Sequence, residues 1–127
     1  MKKATRFYIC EKCGNLVHVV KDSGVNPVCC GEKMKELVAG VVEASHEKHI
    51  PVVTVDGNLV KVNVGSVEHP MSEEHSILWV YLETEGGGYL RYLKVGENPQ
   101  AEFCVKGDKP VAVYAYCNLH GLWKQDV

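Results

Sequence analysis

The feature that most restricts the fold of this chain is a group of four cysteines near its start. Cys10 and Cys13 are separated by two residues, and fifteen residues further on Cys29 and Cys30 stand side by side. Adjacent cysteines do not easily bridge each other, because neighbouring Cα atoms lie about 3.8 Å apart whereas a relaxed disulfide needs about 4.4 to 6.8 Å. The four sulfurs can still surround one tetrahedral metal ion. Zinc and iron both suit such a set, and the sequence does not separate them.

The segment that contains these cysteines is too short to fold by apolar burial alone. Residues 1–36 hold only brief apolar runs, R-F-Y-I and N-L-V-H-V-V, interrupted by turn residues such as Gly14 and the pair Asn26-Pro27. Chains below about 40 residues usually need a metal, disulfides or a partner. We therefore predict a small metal-stapled β module over residues 1–36. A structural zinc knuckle and a disulfide-linked pair of hairpins are the alternatives.

Residues 37–127 have the pattern of an antiparallel β domain. In N-L-V-K-V-N-V the valines at 60, 62 and 64 alternate with polar residues, which is the period of a half-buried strand. The run S-I-L-W-V-Y-L-E-T-E, three glycines and Y-L-R-Y-L-K-V together predict a hairpin. Two more strands, A-E-F-C-V and V-A-V-Y-A-Y-C, flank the turn K-G-D-K-P. Repeated short strands with frequent turns predict an all-β chain and, in this part, an antiparallel sandwich.

The charge of the chain argues against two large classes of partner. Its formal net charge is -2 and its pI is near 6.3, with basic residues scattered along the sequence. This pattern predicts no nucleic-acid partner and no membrane partner. The start M-K-K-A-T-R-F-Y-I-C has no apolar run behind its positive residues, so the expected location is the cytoplasm. Thiols stay reduced there, and six cysteines are then more naturally ligands or reactive groups than a disulfide framework.

A second set of candidate ligands lies in the β domain. It combines four imidazoles with one thiol, at His49, His69, His75, Cys117 and His120. Five such residues in the loops of one small domain exceed the four ligands that structural zinc requires. The set therefore indicates a five-coordinate iron with one open face.

The other histidines and the remaining late cysteine are set aside. His18 lies within L-V-H-V-V and is expected to point outward, and His46 is not needed to complete the second set. Cys104, in A-E-F-C-V, is expected to be a small buried residue of the sandwich.

Taken together, these motifs resemble those of desulfoferrodoxin, the two-iron form of superoxide reductase. The motifs are C-x2-C-G with C-C, E-K-H-I-P-V, H-P-M-x-x-x-H and C-N-L-H-G-x-W, and they follow in order along almost the whole chain. The first module is similar to desulforedoxin, which favours iron over zinc at Cys10, Cys13, Cys29 and Cys30. The larger module is similar to neelaredoxin, which implies an immunoglobulin-like antiparallel β-sandwich over residues 37–127.

The resemblance also implies an activity and a role for each site residue. The four histidines of the second set would lie in the equatorial plane of the iron with the Cys117 thiolate axial. Glu47 and Lys48 match the acid and base that the family carries over the open position, and they are the expected catalytic residues. The implied reaction is the one-electron reduction of superoxide to hydrogen peroxide, with two iron ions per chain. A rubredoxin-like electron donor and a homodimer are the implied partners.

Two other functions compete with this interpretation. A superoxide dismutase is the nearest in chemistry, but it would evolve dioxygen and need no donor. A blue-copper electron-transfer protein also ends a β domain with C-x2-H, and it expects a methionine shortly after the last histidine. Here Leu122 and Trp123 occupy those positions, and the additional histidines would have no purpose.

Overall fold

The computed structural model describes residues 5–127 as two compact units, the first ending at Val38 and the second running from Ala39 to Val127. Their regular structure consists of antiparallel strands apart from one short helix, which confirms the predicted all-β class. No helix among the described residues combines the length and the apolar character that crossing a membrane requires.

The first unit consists of five very short strands around a small core. These are β1 (Phe7–Ile9), β2 (Leu16–His18), β3 (Val28–Cys29), β4 (Glu32–Lys33) and β5 (Lys35–Glu36). Strands β2, β1 and β5 form one sheet in that order, and β3 pairs with β4 in a separate hairpin. The buried side chains that cluster here are Tyr8, Cys10 and Met34. So small a core needs an additional cross-link, such as a metal ion, to hold it.

The second unit is a sandwich of two antiparallel sheets. Its elements are α1 (His46–His49), β6 (Pro51–Asp56), β7 (Leu59–Val64), β8 (Ile77–Thr84), β9 (Gly87–Tyr92), β10 (Gln100–Cys104), β11 (Pro110–Cys117) and β12 (Gly121–Asp126). One sheet has the strand order β10-β7-β6 and the other β12-β11-β8-β9. Helix α1 is a single turn that immediately precedes β6.

The core of the sandwich lies between the inner faces of these sheets. On β7 the valines at 60, 62 and 64 are buried while Lys61 and Asn63 are exposed, as the alternating pattern predicts. They pack in one cluster with Val80 and Leu82 of β8. Strands β8 and β9 form the predicted hairpin, with Thr84 opposite Gly87.

The prediction for Cys104 is wrong, because its side chain is exposed. Strand β10 pairs with β7 so that Phe103 lies opposite Val60, and this register turns Ala101 and Phe103 into the core. Cys104 therefore faces outward. His18, by contrast, is exposed as expected, and its ring lies 4.9 Å from that of Phe7.

Candidate metal centres

Two turns of the first unit bring the four early cysteines together. Their Sγ atoms all lie within 4.8 Å of one another, and the sulfurs of Cys13 and Cys29 are 3.7 Å apart. Cys10 and Cys13 occupy a turn closed by the Gly14 N–H donating to the Cys10 carbonyl at 2.8 Å. Cys29 and Cys30 lie at the turn between β3 and β4, where Cys30 has a left-handed φ of 53°. No disulfide links any of the cysteines.

The thiols of this cluster differ in acidity, as expected of sulfurs held close together without a shared cation. A hydrogen bond from the Cys13 backbone N–H lowers the pKa of Cys10 to about 6. Hydrogen bonding with the Cys10 sulfur raises the pKa of Cys29 to about 12. A thiolate here suppresses ionisation of its neighbours, whereas a bound cation would allow all four to ionise. Four sulfurs at this spacing therefore fit a tetrahedral metal ion.

The second cluster lies at one end of the sandwich. Ligand atoms of His49, His69, His75 and Cys117 all lie within 4.8 Å of one another. The fifth expected ligand, His120, adjoins them, because its Nδ1 is 3.2 Å from the Nε2 of His49 and 3.8 Å from the Sγ of Cys117. All five residues of the predicted second set are thus brought together.

The sheet topology explains why residues so distant in sequence meet here. His49 ends α1 just before β6 begins, and His69 follows the end of β7. His75 precedes β8, Cys117 is the last residue of β11, and His120 precedes β12. Because these neighbouring strands are antiparallel, the start of one lies beside the end of the next. The five ligands therefore lie together at one end of the sandwich.

Two of the imidazoles are oriented by backbone carbonyl oxygens. The Nδ1 of His49 lies 2.6 Å from the carbonyl oxygen of Ser45, and the Nδ1 of His69 lies 2.6 Å from that of Pro70. A carbonyl can only accept, so we assign the proton to Nδ1 in both rings. The Nε2 lone pairs are then free, and these two atoms lie 3.1 Å apart. Such outer hydrogen bonds are typical of metal-binding histidines.

Burial favours the neutral form of three imidazoles of the cluster. Burial lowers the pKa of His49 and His75, and it lowers the pKa of His69 to about 4. Burial also raises the pKa of the Cys117 thiol, whereas the N–H groups of Leu119 and His120 act in the opposite direction. Neutral imidazole is the form that binds metal ions, and a bound cation would deprotonate the thiol.

One buried nitrogen of the cluster, the Nε2 of His75, has no hydrogen-bond partner in the described part of the chain. Buried polar atoms are nearly always paired, so an exception calls for an ion, a ligand or a water. Imidazole nitrogens suit zinc, copper, iron and nickel, and thiolate sulfur binds several of these metals as well. The residues present therefore fit a transition-metal ion, iron included, with four nitrogen ligands and one sulfur ligand.

The two expected catalytic residues are exposed on helix α1. Glu47 and Lys48 immediately precede the buried ligand His49. The positive charge of Lys48 contributes to lowering the pKa of His75, although less than burial does, which places its ammonium group within electrostatic reach of the cluster. The Glu47 carboxylate is not among the ligand atoms that lie within 4.8 Å of one another.

Gly65 packs directly against the helical turn α1, a role that no pattern in the sequence predicted. A Cβ atom on Gly65 would lie 2.5 Å from the Glu47 carbonyl oxygen and 2.8 Å from that of Ile50. Those distances are too short for any side chain. The Glu47 carbonyl also accepts hydrogen bonds from the Val67 N–H at 2.9 Å and the Ser66 hydroxyl at 3.2 Å. The turn that carries Glu47, Lys48 and His49 is therefore fixed to the segment that leads to His69.

The indole of Trp123 provides a further support that the sequence analysis did not assign. It is almost fully buried, its ring centroid lies 5.0 Å from that of His49, and its Nε1–H donates to the His120 carbonyl at 3.0 Å. The motif C-N-L-H-G-x-W contains this tryptophan, but the motif alone does not show what the indole contacts.

Comparison with known proteins places both units in one family. The family model described as desulfoferrodoxin matches residues 41–126, and that described as the desulfoferrodoxin N-terminal domain matches residues 3–37. The chain is 48% identical to desulfoferrodoxin of Nitratidesulfovibrio vulgaris over 126 residues, which is 99% of each chain. It is 44% identical to a desulfoferrodoxin homologue of Archaeoglobus fulgidus over 124 residues, 98% of each chain.

A solved structure has the same fold along the full length. The crystal structure of the superoxide reductase from Treponema pallidum superposes with a TM-score of 0.83 at 36% identity, covering 99% of this chain and 100% of that one. The four-cysteine cluster and the cluster of four histidines with one cysteine match the two iron centres that the family resemblance implies. On its sequence, its fold and its two ligand clusters, the chain belongs to the desulfoferrodoxin family.

Proposed function

We propose that this chain is a superoxide reductase, which converts superoxide and two protons to hydrogen peroxide with one electron from a donor. The observation that carries the proposal is that four imidazoles and one thiol come together at one end of the sandwich. Iron held there would supply the electron. The solved relative that matches the full chain is itself named a superoxide reductase.

Within this proposal all five ligands bind the metal, and they differ in the atoms that they offer. His49, His69 and His75 offer buried nitrogens, His120 completes the imidazole set, and Cys117 adds a thiolate that donates electron density. Lys48 attracts the superoxide anion, since one cation beside a small site can raise encounter rates. Glu47 is the carboxylate that would close the open position in the oxidised resting state.

The four cysteines of the first unit hold a second iron in our proposal. The donor that restores the reduced state is a rubredoxin-like protein, and the assembly is a homodimer. Both expectations rest on the family resemblance. Failure of reduced rubredoxin to reduce the oxidised protein, or a sedimentation mass of a single chain, would contradict them respectively. Because a site made of four cysteines needs reduced thiols, we place this detoxifying activity in the cytoplasm.

The stoichiometry of the reaction tests the proposed function directly. With a reduced donor present, one hydrogen peroxide should form for each superoxide consumed, and no dioxygen should be released by the protein. A dismutase would yield about half as much peroxide, release dioxygen and ignore the donor. An oxygen electrode combined with a peroxide assay measures both products. Dioxygen evolution that does not depend on the donor would identify a dismutase instead.

Replacing Lys48 should slow the capture of superoxide. Lys48→Ala removes an exposed cation near the cluster, so the second-order rate should fall by up to about tenfold at low salt and depend less on ionic strength. Pulse radiolysis measures this rate. Lys61→Ala is the matched control, because Lys61 is an exposed lysine on β7. Equal rates in Lys48→Ala and the parent chain at low salt would refute the steering role.

Replacing Glu47 should leave turnover intact but alter the oxidised protein. Because Glu47 is proposed to act only in the resting state, Glu47→Ala should reduce superoxide at a rate within about threefold of the parent. The visible absorption spectrum of its ferric form should shift, since a carboxylate ligand is lost. Glu68→Ala changes an exposed carboxylate that the proposal does not use, and it serves as the control. An unchanged ferric spectrum in Glu47→Ala would dismiss the capping role.

Loss of a cysteine in the first unit should empty only the first metal site. Cys13→Ser removes one of four sulfur ligands, whereas the second cluster is built wholly from residues of the other unit. We expect metal analysis to show one iron instead of two, with superoxide reduction retained. Cys104→Ser removes an exposed thiol outside both clusters and should change neither result. An inactive Cys13→Ser protein whose second site is full would show that turnover depends on the first site.

A further inference from the structure

The residue that follows the ligand Cys117 connects two ligand-bearing loops. The ladder between β8 and β11 ends at the pair Ile77–Cys117, and Asn118 is the next residue on that strand's path. Its backbone N–H donates to the Ser76 carbonyl oxygen at 3.2 Å. Hydrogen bonding between the two chain segments thus continues beyond the last residue pair of the β8–β11 ladder.

The side-chain amide of Asn118 makes hydrogen bonds on both sides of His75. Its Oδ1 accepts from the Ser76 N–H at 3.0 Å, and its Nδ2 donates to the Glu74 carbonyl oxygen at 2.9 Å. These partners are 42 and 44 residues away in sequence. An asparagine that served only to form its own turn would need no contact with so distant a segment.

His75 lacks the carbonyl contact that orients the rings of His49 and His69. Each of those two rings has a carbonyl oxygen at Nδ1, whereas the buried Nε2 of His75 has no hydrogen-bond partner among residues 5–127. The ring packs against those of His69 and His120, with centroids 4.5 and 5.1 Å away, and the hydrogen bonds of the backbone on either side add to what holds it. Ser72 binds the backbone of His75 itself, since its Oγ accepts from the His75 N–H at 3.1 Å. Asn118 binds the backbone of the two neighbouring residues, Glu74 and Ser76.

We propose that Asn118 is a positioning residue for the second metal site, which clamps the backbone around His75 and so keeps this ligand at a fixed distance from Cys117. The proposal rests on the metal site of the proposed function but not on its substrate. Metal affinity can therefore test it even if superoxide is not reduced. Outer contacts of this kind typically change metal affinity by about 10- to 100-fold when they are removed.

The test compares the full chain carrying Asn118→Ala with the parent, both loaded with two ferrous ions. Titration with a ferrous chelator should remove the second-site iron of the variant at about 10- to 100-fold lower chelator concentration, while the iron of the four-cysteine site is retained as in the parent. Near-infrared magnetic circular dichroism should show shifted ligand-field bands for the second site alone, because those bands report coordination geometry.

Two further variants separate positioning from a general loss of structure. Asn118→Asp keeps an oxygen that can accept from the Ser76 N–H but cannot donate to the Glu74 carbonyl, so its second-site iron should be lost at intermediate chelator concentrations. Asn63→Ala removes an exposed asparagine side chain on β7 and should behave as the parent does. Parental affinity and unchanged bands in Asn118→Ala would overturn the proposal. Equal weakening of both iron sites would also overturn it.

Discussion

Four imidazoles and one thiol lie close together at one end of the β-sandwich, and the second unit is built around this cluster of potential metal ligands. Burial favours the neutral forms of His49, His69 and the Cys117 thiol, and a bound cation would turn these groups into ligands. The Nε2 of His75 is the clearest sign, since it is buried and unpaired in the described part of the chain. The remaining features of the second unit serve to assemble this cluster.

The antiparallel arrangement of the strands is what brings the ligands of the sandwich together. Each antiparallel pair returns the chain to the same end of the sandwich, so one ligand lies near each of five strand termini: the starts of β6, β8 and β12 and the ends of β7 and β11. Gly65, Asn118 and Trp123 then fix the ligands relative to one another. The core valines of β7 provide a rigid base beneath them. Rigid strands carry the framework and short loops carry the chemistry.

The sequence predicted which cysteines and histidines come together better than it predicted the contacts that orient them. Cysteine and histidine are rare enough that their spacing identifies a metal site, and the alternation at Val60, Val62 and Val64 is enough to define a strand. The outward orientation of Cys104 could not be derived, because A-E-F-C-V fits either phase of a strand until its pairing with β7 is known. Nor could the carbonyls of Ser45 and Pro70 be assigned, since every residue has one.

The two ligand sets also differ in how much chain each one spans. The cysteines of the first unit lie within one short stretch, whereas the contact between His49 and His120 joins residues 71 positions apart. During synthesis the first set is complete once Cys30 has been made, while the second waits for a further ~90 residues, or roughly 5 to 20 seconds of translation. A nascent chain therefore carries all four cysteine ligands well before the last histidine of the second set has been made. Synthesis of the chain thus completes its two ligand sets one after the other, with the cysteine set first.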